Sequence, residues 1–216
     1  MPLERRMELL KLASRHEFII IEDDYEFETN YVNEPCPALK SLDDCGRVAY
    51  VGSLSKTLFP GLRLGFLVAS KTLIAEARAL RRLMVRHAPN NNQRTAALFL
   101  SLGHHDMLIR KLHRVYRSRW EIMGSALQQY LPDSARIPTF GGTSFWVRGP
   151  EGLDSEELAR LAVQKGIIIE PGRINFGRPD APLNYFRLAF SSIDDKKIEP
   201  GIKLLAETVD RQLRAG

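Results

Sequence analysis

The sequence has only two cysteines, Cys36 and Cys45, in 216 residues. That is too few for a disulfide framework at this length. They lie nine apart in a loop-like stretch with no histidine pair beside them, which is not zinc-ligand spacing, and no metal site is expected. No run of about 18 apolar residues occurs, so no membrane-crossing helix is expected. No secretory leader is visible either, because Glu4, Arg5 and Arg6 open an amphipathic segment rather than an apolar one. Internal repeats and low-complexity tracts are absent. Charge of one sign is also scarce: 31 Lys plus Arg against 26 Asp plus Glu leave a net charge of +5. The basic residues are spread along the chain, which weakens the case for a nucleic-acid face. Arg78, Arg81, Arg82 and Arg86, and Arg110, Lys111, Arg114, Arg117 and Arg119, fall in helical patterns and read as solvated faces.

What is present is a globular composition, 44% hydrophobic and 26% charged. This suffices for a buried core and excludes a disordered tail. Cytoplasmic residence is the default expectation. The length permits one large domain or two small ones.

Helical and strand patterns alternate, the signature of an α/β fold. Residues 2–15 read as a helix with Leu9, Leu10, Leu12 and Ala13 as its apolar stripe. Strands are expected at 18–21, 48–53 and 62–70, separated by a loop that Pro35 and Pro37 keep out of a sheet. Near-continuous apolar strands of this kind predict a sheet covered on both faces. Residues 71–86 are helical in period, 88–93 break the pattern, and 95–103 resume it up to a capping Gly103. One long amphipathic helix spans 106–130 and could join two lobes. His104 and His105 read as its solvated start, and Trp120 and Met123 as helix core or dimer surface. Beyond it come strands at 141–149, 167–172 and 184–191. They alternate with a helix at 154–166, capped by Asp154 and ended by Gly166, and a closing helix over 194–213.

Four features carry chemistry. EDDY (22–25) ends the first strand, where ligands of open α/β sheets bind, although a cap or helix-end charge would also explain it. SLSKTLFPGLRLG (53–65) places Lys56 directly after a buried strand, flanked by Ser53 and Ser55, with Arg63 close by. A partly buried lysine with a depressed pKa serves as an amine nucleophile, while hydroxyls and an arginine suit a phosphate. A surface lysine on an ordinary turn is the plain alternative. Arg187 lies inside the apolar strand NYFRLAFS and needs either a ligand carboxylate or an internal Asp or Glu. The glycine pair of GGTSFWV lets backbone approach a ligand, or marks a bulge.

Together and in this order, IIIEDDYE, SLSKTLFPGLRLG, FGGTSFWV and YFRLAFS resemble the pyridoxal-phosphate (PLP) aminotransferases of fold type I. Within them the resemblance is to the aminotransferase-like domain of MocR-type (GntR family) transcriptional regulators. The compact EDDY, the seven-residue step from Lys56 to Arg63 and GHHDMLIRKLHRVYRSRWEIM carry it. The resemblance implies a fold of which this chain matches the C-terminal half. Residues 1–105 would be part of the large PLP-binding domain, 106–131 a connecting long helix and 132–216 the small C-terminal α/β domain.

It also implies roles. Lys56 forms the Schiff base with PLP and moves the proton at the substrate Cα. Asp23 pairs with the protonated ring nitrogen, with Asp24 as the weaker candidate, and Tyr25 donates to the ring oxygen. Ser53, Ser55 and Arg63 hold the phosphate, and Arg187 grips the substrate α-carboxylate. The implied activity is amino-group transfer between an α-amino acid and a 2-oxo acid. The alternatives are effector sensing in a regulator that contacts DNA through a domain not in this chain, or a fragment that only folds. A homodimer is implied for the complete protein. The upstream phosphate-binding turn, ring-stacking aromatic and asparagine of the family cannot be placed here, so weak PLP binding by this chain alone is expected.

Overall fold

The computed structural model describes residues 1–24, 37–55, 57–136, 142–178 and 180–215. The chain divides between Lys111 and Leu112 into two compact units.

The first unit opens with helix α1 (Leu3–Arg15), which buries Ala13 and leaves Leu12 exposed. The chain reverses through Glu17 in the left-handed region (φ 58°), whose carboxylate lies 3.3 Å from Arg47. Strand β1 (Ile20–Asp23) runs parallel to β2 (Val48–Ser53), and β2 runs antiparallel to β3 (Gly65–Val68), giving the order β1-β2-β3. The expected strand at 18–21 therefore sits two residues later, because pairing starts where Ile20 N–H donates to Arg47 C=O. The strand expected at 62–70 shrinks to 65–68, since Pro60–Leu62 form a 3-10 turn and Arg63 is left-handed.

Helix α2 (Lys71–Met84) begins at Ser70, whose hydroxyl accepts from Leu73 N–H. Helix α3 (Asn90–Ser101) starts inside the stretch expected to break the pattern. The first turn of a helix leaves its N–H groups without intrahelical acceptors, so the asparagines cost little there. Gly103 then takes φ 74° and its N–H returns to Leu100 C=O, closing α3 as expected. Arg78, Arg81, Arg82 and Arg86 are exposed.

Leu62, Leu64 and Ala96 form a small core with Leu54, Leu58 and Ala88 against them. The expected cover on both sheet faces is not found among the described residues. Every residue of β3 is exposed, and Ile21 is 73% exposed. Cover on both faces follows from crossover helices between parallel strands, and among the described strands only β1 and β2 run parallel.

Helix α4 (His104–Tyr130) carries the boundary between the units. His104 is exposed and lies near the Phe99 ring, whereas the His105 side chain is only 15% exposed, which corrects its reading as a solvated helix start.

The second unit is an antiparallel sheet in the order β4-β5-β7-β6, built from β4 (Ala135–Arg136), β5 (Ser144–Arg148), β6 (Glu170–Pro171) and β7 (Tyr185–Ala189). Strict alternation along β5 and β7 turns Phe145, Val147, Phe186 and Leu188 inward. They pack on α5 (Ser155–Val163), α6 (Asp195–Ala215) and the later part of α4 through Leu158, Leu205, Val209 and Met123. Trp120 stacks on Phe145 with ring centroids 5.9 Å apart. Arg119 is no solvated arginine: it donates to Asp195 at 2.8 Å and to Ser191 C=O. Asp154 caps α5 by accepting from Glu156 and Glu157 N–H. The strand expected at 167–172 reduces to two residues. Pro171 has no N–H to give a ladder, and Ile168 is exposed.

Candidate functional site

The strand register sorts the acidic cluster. Asp23 is paired with Val51 and Glu22 with Tyr50 across the parallel β1–β2 ladder. Side chains alternate between faces, so Asp23, Val51 and Ser53 share one face, and Glu22, Tyr50 and Asp24 share the other.

The second face is occupied by structural bonds. Glu22 accepts from Leu39 and Lys40 N–H at 2.7 and 2.9 Å and lies 3.6 Å from Arg6. Tyr50 Oη donates to Asp24 at 3.3 Å. Burial, with the Glu22 carboxylate second, pushes the Asp24 carboxyl above its ordinary value. On the first face, Asp23 is exposed and makes no hydrogen bond or ion pair with other described residues. Of the two aspartates, Asp23 is the one left open to a cationic partner.

The β2–β3 connection is tightly held. Leu54 N–H donates to Leu64 C=O, Leu58 N–H to Leu54 C=O, and Ser55 N–H to Ser53 Oγ at 3.3 Å. Ser55 is buried. Arg63 is exposed and left-handed (φ 48°, ψ 41°), a conformation that costs a non-glycine residue free energy and recurs at functional sites. The preceding carbonyl, that of Leu62, accepts from Asn92 Nδ2 at 2.9 Å. Thr57 is buried, and its Oγ1 has no hydrogen-bond partner among the described residues. A buried hydroxyl left without a protein partner fits a site whose hydrogen bonds are completed by a ligand. Lys56 and Tyr25 lie outside the described residues, as do Cys36 and Gly141.

Arg187 belongs to the second unit. Its Nε donates to Ser144 Oγ at 2.9 Å and its Nη1 to Glu170 at 2.7 Å. Trp146 and Glu170 are its register partners on the two neighbouring strands, so all three project from the outer face of the sheet. Trp146, Phe176 and Tyr185 form an aromatic cluster on that face, with centroids 5.2–6.1 Å apart.

A cleft of about 510 Å³ opens beside β2, β3 and α2, lined in part by Val51, Phe66, Ile74 and Arg78. None of the expected site residues among the described ones lines it. No group of three metal-ligating side chains occurs among the described residues.

Sequence reasoning missed Asn92, Thr57 and Glu170. Only Glu170 had a signal, since an arginine in an apolar strand demands an anion.

The sequence pattern described as "Aminotransferase class I and II" matches residues 1–205. The chain belongs to the class I and II aminotransferase family. It is 47% identical over 209 residues to the HTH-type transcriptional regulator TauR of Rhodobacter capsulatus, covering 97% of this chain and 43% of that protein. It is 34% identical over 212 residues to aromatic-amino-acid aminotransferase 1 of Thermococcus litoralis, covering 98% of this chain and 51% of the enzyme. Among solved structures, the kynurenine aminotransferase of Pyrococcus horikoshii, in complex with PMP, superposes with a TM-score of 0.92 at 34% identity. The match covers 99% of this chain and 53% of that one. The chain thus spans about half the length of the relatives it matches, and its fold is part of the aminotransferase α/β fold. This aminotransferase family is PLP-dependent. No helix among the described residues is long and apolar enough to cross a membrane.

Proposed function

We propose that this aminotransferase-like chain is the PLP-binding, effector-sensing part of a MocR-type regulator. The observation that carries this reading is its 47% identity, over 97% of its length, to a transcriptional regulator. DNA contact is then made through residues outside this chain, in a cytoplasmic homodimer. Residues 1–105 serve as part of the large domain, 106–131 as the connecting helix and 132–216 as the small domain.

Bound PLP supplies an electron sink for charge developing at the substrate Cα. Lys56 Nζ, three residues beyond the end of β2 in the sequence, is the amine that would anchor the cofactor and move the proton at Cα. Asp23, open on its face, holds the protonated ring nitrogen, and Tyr25 Oη donates to the ring oxygen. Ser53, Ser55 and Arg63 hold the phosphate, with charge-assisted bonds from Arg63. Arg187 orients a ligand carboxylate.

Borohydride trapping of PLP on the protein, followed by peptide mass spectrometry, tests the site. The expected result is pyridoxyl label concentrated on Lys56 and reduced by competing inorganic phosphate. Equal labelling of Lys40, Lys71 and Lys56 overturns it.

The second reading is catalysis, transamination between an α-amino acid and a 2-oxo acid. The 34% identity to an aromatic-amino-acid aminotransferase supports it. Conversion of bound PLP to its amine form by an amino donor separates the two readings. Conversion at each donor addition favours the enzyme, and binding without conversion favours the sensor.

A further inference from the structure

The neighbours of Arg187 leave its guanidinium only partly available. Nε is taken by Ser144 Oγ from β5, and Nη1 by the Glu170 carboxylate from β6. A bidentate carboxylate needs two adjacent N–H donors on one edge of the guanidinium. One edge runs through Nε, which Ser144 holds. The other runs through Nη1, which Glu170 holds.

The Glu170 backbone is well fixed. Its Cα is the register partner of Arg187. Two residues on, Gly172 N–H donates to Tyr185 C=O at 2.8 Å. A Cβ at Gly172 would meet the Trp146 ring at 2.6 Å, so the chain is pressed against the sheet at this point. The pair is nonetheless open to water, with the Arg187 and Glu170 side chains 40% and 45% exposed. It is therefore an accessible ion pair, weak enough to exchange, rather than a buried structural one.

We propose that Glu170 is a built-in competitor for the anion site of Arg187. It occupies Nη1 while no ligand is bound, keeps the guanidinium aimed across the outer sheet face, and must yield or share when a ligand carboxylate arrives. Glu170 is thus a positioning residue that lowers the affinity for anions and rejects those too weak to displace it. The inference rests on the reading of Arg187 as a carboxylate-binding residue.

Acetate is the probe, titrated into the 216-residue protein at low ionic strength. Arginine Nε–Hε resonances are followed by NMR, with Arg187→Lys used to assign the Arg187 signal. Glu170→Gln and Glu170→Ala are expected to bind acetate about fivefold more tightly than the parent, the scale of a partly exposed ion pair. A residue with a merely structural role would lower affinity or leave it unchanged. Equal or weaker acetate binding in both variants, with the Arg187 signal still responding, overturns the competitor role and leaves the carboxylate reading standing. If the Arg187 signal responds to acetate in no protein, both fall together. Circular dichroism establishes folding, and Glu170→Asp, which retains the charge, is expected to restore affinity toward the parent value.

Discussion

The ring of Phe66 lies across Gly52, its register partner on the neighbouring strand, so that a Cβ at position 52 would fall 2.6 and 2.7 Å from Cε1 and Cε2. The ring also lies 6.0 Å from that of Tyr50. Glycine is required here for space, to let an aromatic ring close over the strand that leads into Ser53. Gly52→Ala is expected to cost about 1–3 kcal/mol by overpacking. Denaturant unfolding measures it, and Phe66→Leu in the same chain should return most of the loss.

Asp23 and Asp24 are adjacent but face opposite ways, and substitution should separate them. Asp23→Asn is expected to leave stability unchanged and to weaken PLP labelling of Lys56 by about tenfold, the scale of one charge-assisted hydrogen bond. Asp24→Asn should do the reverse. Its folded pKa is raised, first by burial and then by Glu22, so the folded state holds that proton more readily than the unfolded chain. The ionised group therefore disfavours folding at neutral pH, and the penalty fades as pH falls through the raised value. Asp24→Asn is expected to raise stability at pH 7 by about 0.5 kcal/mol or less, given solvent screening. The gain should vanish below the ordinary value of 3.8. Melting curves at the two pH values check both signs.

Much of this was legible in the sequence because it depends on neighbours along the chain. The strand at 48–53, the caps Asp154, Gly103 and Gly166, and the long helix all follow from local period and backbone chemistry. The roles of Glu22 and Asp24 were not legible. Which face each carboxylate takes depends on the register between residues 20–23 and 48–51, and a slip of one residue would exchange them. Glu170 opposite Arg187 likewise depends on strands whose pairing no local signal states. The exposure of β3 reflects which surfaces other elements cover, and its apolar run alone could not show that.

Gly166 ends α5 in a double turn. Its N–H donates to Val163 C=O and Ile167 N–H to Ala162 C=O, while Gly166 takes φ 77°. No atom lies within 4 Å of a Cβ built there. The cost of Gly166→Ala is thus purely conformational, about 1 kcal/mol. Chemical denaturation should show a loss of that size, smaller than the loss at Gly52, where space is the limit.

Asp43 anchors the start of β2. Its side chain is 1% exposed and accepts from Lys40 Nζ and from the N–H groups of Arg47 and Val48, each at 2.9 Å. Burial alone would raise its pKa, but the Lys40 bond and the two backbone donors outweigh it and hold the carboxyl below 3.8. A depressed carboxyl contributes stability that is complete above the unfolded value and is lost as pH falls through the folded one. Asp43→Asn is expected to cost about 1–3 kcal/mol at pH 7. The difference from the parent should shrink below about pH 4, as measured by urea unfolding across pH 3–7.

Arg63 and Asn92 set stability against binding. The left-handed Arg63 costs the chain about 1 kcal/mol that a glycine would not incur. The Asn92 bond to Leu62 C=O helps hold the turn that requires it. Arg63→Gly is therefore expected to fold at least as stably as the parent, by up to about 1 kcal/mol, since glycine's extra freedom in the unfolded chain offsets part of the gain. Phosphate should no longer protect Lys56 from PLP labelling in that variant. Asn92→Ala keeps the arginine but frees the turn. It should lose about 1 kcal/mol and show partial phosphate protection. A strained arginine is worth keeping only if its charge is used, so unchanged phosphate protection in Arg63→Gly would remove Arg63 from the phosphate site.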